Sequence, residues 1–189
     1  MTPRLDPLLD AARDSILAVG WKRSTLTDVA RRAGVSRMTI YRRWPDMSTM
    51  MADLMTREWG GLLGATLPPE AVAGFVPAVA ETVATTVGAL RDNELFAKIV
   101  QVDPELLLPY LLERRGRTQD ALLAVLADAV AEGQRAGSVR EGEPMLLARS
   151  VLLASYGFAL SAPTMTGSRV DEESLDAELR RLVERYLEA

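Results

Sequence analysis

Thr25-Leu26-Thr27-Asp28-Val29-Ala30-Arg31-Arg32-Ala33-Gly34-Val35-Ser36-Arg37-Met38-Thr39-Ile40-Tyr41-Arg42-Arg43-Trp44-Pro45-Asp46 is the stretch on which the reading of this chain turns. Thr25 and Asp28 have the spacing of a capping box, in which Thr25 accepts from the helix start and Asp28 reaches back. Leu26, Ala30 and Ala33 then line one face of a short helix. Gly34 can take the left-handed conformation that ends it, Val35 tucks inward, and Ser36 caps a second helix running to Arg43 or Trp44. Ala30 stands where two helices cross closely and only a small side chain fits, and Ile40 plugs the core. At about 100° per residue, Ile40 and Trp44 turn inward while Arg37, Met38, Thr39, Tyr41 and Arg42 spread over the outer face.

Two short helices joined this tightly read as a helix-turn-helix. A major groove ~12 Å wide accepts one helix, whose hydroxyls and guanidiniums bond base edges or phosphates, while Met38 is placed to touch a thymine methyl. The helix starts at Thr25 and Ser36 offer backbone amides to phosphates. Charge is sorted to match. Residues 1–60 hold ten Lys+Arg against seven Asp+Glu, a net +3, whereas residues 61–189 hold twelve against nineteen, a net −7, within a chain of net charge −4. From Gly20 to Pro45, Lys22, Arg23, Arg31, Arg32, Arg37, Arg42 and Arg43 are opposed by Asp28 alone, a local +6. Charge by itself is more often the mark of a solvated helix face.

The quoted stretch resembles the DNA-binding signature of the TetR family of transcriptional regulators, and the resemblance spans Leu5 to Met55. It includes the Gly20-Trp21 step and the Tyr41-x-x-Trp44-Pro45 exit into a fourth helix. It implies phosphate contacts at Thr25, Ser36, Tyr41 and Arg42, base reading by Arg37, Met38 and Thr39, and Arg43 as a backbone neighbour. Thr27 completes the expected DNA-binding set. Two positions depart from the family. Met47 replaces a lysine that usually holds a phosphate at the start of helix four, and Met38 stands where glycine is frequent, so the operator cannot be borrowed from relatives.

Outward from this head the pattern is helical throughout, predicting an all-α protein of about nine or ten helices. A helix-turn-helix domain at 1–46 precedes a helical effector-binding and dimerisation domain at 47–189. Leu5, Leu8, Leu9, Ala12, Ile16 and Val19 form the stripe of a first helix that Gly20 stops. Asp46 caps a long helix four through Met50, Leu54, Trp59 and Leu62, and Thr66 to Pro69 reads as a loop. Pro77 either opens helix five or kinks it. Further helices are predicted at 92–102, 104–115, 117–135, 143–162 and 171–188, with Gly137 and Pro163 as stops.

Leu122, Leu123, Val125, Leu126, Ala129 and Val130 cover more than one face of their helix, as do Leu146, Leu147, Val151, Leu152, Leu153, Tyr156, Phe158 and Leu160 of the next. An internal core and a subunit interface both explain that pattern; the resemblance implies a homodimer through this pair. A twofold dimer would set two recognition helices ~34 Å apart on a palindromic site. The resemblance also implies a small, mostly hydrophobic effector. Trp59, Leu63, Phe75, Val79, Phe96, Val100, Tyr110 and Tyr156 are the candidates to line its cavity, with Thr82 and Gln101 as polar groups.

Composition narrows the alternatives. The 189 residues are 48% hydrophobic and 25% charged, the balance of a globular protein. With no Cys and no His, thiolate or imidazole metal sites and His-dependent nucleophilic catalysis are excluded, so no metal, no cofactor and no catalytic residue is expected. Glu172 and Glu173 are adjacent on a helix, point about 100° apart, and suit a helix start better than an acid pair flanking one bond. The longest apolar stretch, Ser150 to Pro163, is shorter than the ~20 residues that cross a bilayer. Met1 to Asp10 carries acids where a secretory signal carries a basic start, so a cytoplasmic protein without membrane contact is expected. An architectural DNA binder without effector is the main rival; it would have little use for an acidic body. An activator of the same fold is the other.

Overall fold

The apolar stripe from Leu8 to Ile16 forms the buried side of α1 (Leu5–Val19), and Gly20, with φ 83°, turns the chain out of it. The computed structural model describes residues 5–66 and 75–189, with side chains for 7–61 and 75–189. After α1 come α2 (Leu26–Arg32), α3 (Arg37–Arg43), α4 (Met47–Thr66), α5 (Phe75–Arg91), α6 (Glu94–Val102), α7 (Arg117–Arg135), α8 (Pro144–Met165) and α9 (Glu172–Leu187). Among the described residues there are no strands, only two isolated bridges, Val139 with Glu188 and Gly167 with Val170.

Several starts and stops are set by the side chains the sequence pointed to. Asp46 accepts from the Thr49 amide at 2.7 Å, Asp171 from the Ser174 amide at 2.9 Å, and Gly137 leaves α7 with φ 70°. Pro77 lies in the first turn of α5, where its missing N–H removes no helix bond.

Four expectations are corrected. The helix predicted at 104–115 is instead a 3₁₀ turn at Pro104–Leu106 and a wide turn at Pro109–Glu113. Pro104 and Pro109 supply no N–H, and the Arg114 amide reaches back to the Pro109 carbonyl at 2.8 Å. Pro163 does not stop α8, which runs on to Met165. The hydroxyls of Thr164 and Thr166 donate to the carbonyls of Ser161 and Pro163, at 2.8 and 3.0 Å, and hold that last turn. With 22 residues, α8 is therefore long and apolar enough to span a bilayer by length and composition, contrary to the count of its apolar run. It is instead packed on α5, α7 and α9. Thr66 belongs to α4; the rest of the loop expected there lies outside the described residues.

The chain divides into two compact units. The first comprises 1–60 and 93–116, because α6 packs on α1. Its core holds Leu8, Leu9, Ile16, Ile40, Trp44, Met50, Leu54, Leu95 and Ile99, each under 2% exposed. The second comprises 61–92 and 117–189, with α5 against α9 and α7 against α8. Its core draws on Val76, Ala80, Leu123, Val130, Leu147, Val151, Leu179, Val183 and Leu187. Arg91 joins α5 to α9 there, its guanidinium forked on Asp176 at 2.8 and 2.7 Å.

Candidate nucleic-acid interface

α3 is held from beneath. Ile40 is fully buried, and Trp44, 1% exposed, donates its indole N–H to Asp53 on α4 at 2.8 Å, which fixes the angle at which the chain leaves α3. Ala30, 1% exposed, provides the close crossing with α2. Gly34 adopts φ 66° in the turn, and the Val35 amide returns to the Ala30 carbonyl at 3.0 Å. A Cβ at Gly34 would meet nothing within 4 Å, so glycine is required there by conformation and not by space.

The two helix starts are capped as the sequence dictates. Ser36 accepts from the Thr39 amide at 3.1 Å, and the two hydroxyls lie 2.8 Å apart. Thr25 accepts from the Asp28 amide at 3.1 Å and donates its hydroxyl to the Asp28 carboxylate at 2.7 Å. Asp28 thus reaches back to the Thr25 hydroxyl rather than to its amide. That hydroxyl first, and then the Arg31 guanidinium, hold the Asp28 carboxyl below the usual aspartate range.

What α3 leaves outward is a mixed cationic and apolar face. Met38 is 78% exposed and Tyr41 50%, with Arg37, Arg42 and Arg43 exposed and Thr39 half-buried between its cap and the surface. Thr25 and Ser36 are exposed and Thr27 is half-buried. The nine residues of the expected DNA-binding set are thereby gathered on or beside one short helix pair.

The local positive charge is smaller than the sequence count. Lys22 is paired with Glu105 at 2.6 Å, Arg31 with Asp28 at 3.3 Å, and Arg23 is turned onto the Val19 carbonyl at 2.8 Å. Arg37 and Arg42 have no acidic partner among the described residues, Arg32 is within electrostatic reach of Asp28 without bridging it, and Arg43 stacks over the Trp44 ring at 5.3 Å. The cations left for an anionic partner are therefore concentrated on α3 and the end of α2. Met47, in the position of the expected lysine, is half-buried at the start of α4.

One positioning residue escaped the sequence reading. Asp103 precedes a proline and looks like a helix start, yet it caps the C-terminus of α6, is 3% exposed, and accepts from the Trp21 amide at 2.7 Å. Gly20 passes so close that a Cβ would lie 3.0 Å from the Asp103 carboxylate. α6 is pinned at its other end by Arg13, which reaches Glu94 at 3.0 Å. Only the pairing of α6 with α1, a long-range contact, reveals the part Asp103 plays.

The expected effector residues fall into separate groups. Trp59 and Phe96 meet edge to face in the first unit, with ring centroids 6.2 Å apart and planes at 75°. Val100 and Tyr110 belong to that unit, Tyr110 beneath the Arg114 guanidinium at 5.4 Å. Phe75, Val79 and Tyr156 belong to the second, where Val79 and partly buried Phe75 and Tyr156 join the core and Tyr156 is bonded to Gln119. Of the polar pair, Thr82 is half-buried and Gln101 exposed. The Leu63 side chain lies outside the described residues. Among the described residues no group of three or more acids could hold a metal ion.

A capped helix pair presenting a cationic, solvent-facing second helix on a bundle of this kind defines the class of helix-turn-helix DNA-binding regulators. Residues 8–54 match the family model described as bacterial regulatory proteins, tetR family. An uncharacterised HTH-type transcriptional regulator of Mycobacterium tuberculosis is 36% identical over 185 residues, covering 95% of this chain and 92% of that protein. Two solved structures share the fold. One is FadR of Bacillus subtilis in complex with stearoyl-CoA, with TM-score 0.73 and 18% identity over 97% of this chain and 100% of that one. The other is the flavonoid-responsive regulator FrrA, with TM-score 0.70 and 22% identity over 96% and 94%. The chain belongs to the TetR family of transcriptional regulators.

Proposed function

We propose that this regulator is a sequence-specific repressor that binds a palindromic operator as a homodimer and is released by a small hydrophobic effector. The observation that carries the reading is α3. It is locked by Ile40 and Trp44 on one side, and on the other it presents Met38 and Tyr41 to solvent beside unpaired Arg37 and Arg42. A large exposed methionine has no stabilising role in a monomer and suits a thymine methyl, while hydroxyls and guanidiniums around it suit phosphates and base edges. Residues 1–46 would bind DNA and 47–189 the effector and the second subunit, in the cytoplasm and without catalysis.

The dimer is supported by what α7 and α8 leave uncovered. Val125 is 41% exposed, Leu146 59% and Leu153 67%, although their neighbours Leu126, Leu147 and Leu152 are in the core. Apolar side chains on both faces of a helix pair need a second surface. The effector class is supported by Trp59, Phe96, Val100, Tyr110, Phe75, Val79 and Tyr156, which are largely apolar. It is also supported by the stearoyl-CoA in complex with FadR of Bacillus subtilis and by the flavonoid response of FrrA. Effector and operator would select different arrangements of the two subunits, so each weakens binding of the other by the same factor.

Fluorescence anisotropy on the DNA upstream of its own gene, with random DNA as competitor at two salt concentrations, tests this. Preference of ~10³-fold or more for the specific site is expected. Unselective, steeply salt-dependent binding would favour an architectural protein instead.

A further inference from the structure

The indole N–H of Trp59 is fully buried and meets no hydrogen-bond acceptor among the described residues. Buried tryptophan N–H groups ordinarily find a partner, and an orphan in a native structure marks a place where something else supplies it. The contrast within the chain is direct, since Trp44 donates to Asp53. Trp59 is on α4 and its ring stands edge-on to Phe96 of α6, itself 6% exposed, so the unpaired donor sits in an aromatic setting.

The surrounding charges narrow what can pair with it. Arg13 lies on Glu58 at 3.4 Å and Glu94 at 3.0 Å, and Arg57 lies on Asp10 and Glu58, each at 2.8 Å. The two arginines that pair with Glu58, the residue before Trp59, are thus already held by acids. Lys98 follows Phe96 by two residues and so points to the opposite side of α6. A carboxylate ligand would have to compete with these acids for either arginine, and a ligand offering only a donor would leave the indole unpaired.

We infer that Trp59 is the polar anchor of a ligand subsite that takes a neutral, apolar molecule bearing one oxygen acceptor, such as a ketone, ester or lactone. The inference rests on the effector-binding reading above and specifies its chemistry. The apolar body packs against Phe96 and the acceptor oxygen takes the Trp59 N–H.

Matched probes that differ by a carbonyl for a methylene test it on the full-length protein: benzophenone against diphenylmethane, and methyl nonyl ketone against undecane. The three tryptophans give three indole N–H signals in a ¹H–¹⁵N spectrum, and Trp59→Phe identifies the one that matters. At least one ketone should move the Trp59 signal downfield and bind about tenfold tighter than its hydrocarbon, a preference that Trp59→Phe abolishes. The inference is overturned if no ketone moves that signal, if ketone and hydrocarbon move it equally, or if the preference survives in Trp59→Phe. Anisotropy on operator DNA in the same samples separates the two readings. A ketone that engages Trp59 without weakening DNA binding upholds the subsite and removes its effector role. A compound that releases DNA while the Trp59 signal stays fixed upholds the effector reading and removes this subsite.

Discussion

Asp103→Ala should loosen the DNA-binding head from within. The carboxylate is 3% exposed and accepts from the Trp21 amide at 2.7 Å, a charge-assisted bond across 82 residues of sequence. Deleting one partner of such a bond leaves a donor without an acceptor, at a cost of about 2–3 kcal/mol. Asp103→Asn keeps an acceptor of the same shape and gives up only the charge, about 1 kcal/mol. With a urea dependence of about 2 kcal/mol per molar, the alanine variant should unfold about 1–1.5 M earlier and the asparagine variant about 0.5 M earlier. Hydrogen exchange should quicken at the Trp21 amide in the same order. Trp21 precedes the Thr25 cap by four residues, so operator affinity should fall in parallel while the salt slope, which counts phosphate contacts, stays unchanged. Equal urea midpoints for the wild type and Asp103→Ala would refute the reasoning, because they would mean that the Trp21 amide is as well satisfied by solvent.

Arg42→Ala should weaken all DNA sequences alike and flatten the salt slope by about one unit, whereas Met38→Gly should relax base preference and leave the slope alone; anisotropy over an operator library reads both. Asp28 has a depressed folded pKa, so its contribution to stability is present above the ordinary aspartate value of 3.8 and is lost as pH falls through the lower folded value. Asp28→Asn should flatten the acid limb of the stability curve in that window alone, as followed by circular dichroism. Gly133→Ala should destabilise by about 1–3 kcal/mol in thermal melts, because a Cβ would stand 2.4 Å from Val139 Cγ2 and 2.7 Å from Phe75 Cε1. Leu153→Glu, at a side chain 67% exposed on α8, should leave folding intact and shift sedimentation toward monomer.

Local physics made the head readable. Thr25, Gly34, Ser36 and Asp46 act on atoms within a few residues of themselves, so their types and spacing suffice to place α2, α3 and the start of α4. The stripe of α1 and the ends of α7 were legible for the same reason, as was the inward turn of Ile40 and Trp44. Proline misled twice because its effect depends on where in a turn it falls. Pro104 and Pro109 broke the helix expected around them, whereas Pro163, in a last turn held by Thr164 and Thr166, did not end α8.

What the sequence hid depends on distant pairings. The charge count from Gly20 to Pro45 treats every cation as available, yet Glu105, more than eighty residues away from Lys22, removes one from the surface. The seven cations of that stretch thus reduce to a smaller set on α3 and the end of α2, whose members point at solvent. That reduction strengthens the DNA-binding reading: a charge run that merely solvated a helix would have no reason to leave its unpaired members around Met38 and Tyr41. The same logic bears on the effector residues. Trp59 and Phe96 meet across α4 and α6, but helical spacing alone cannot distinguish them from Phe75 and Val79, which join the core of α5. Burial separates the two kinds of apolar residue only when a polar atom is involved, and the unpaired indole of Trp59 supplies that distinction.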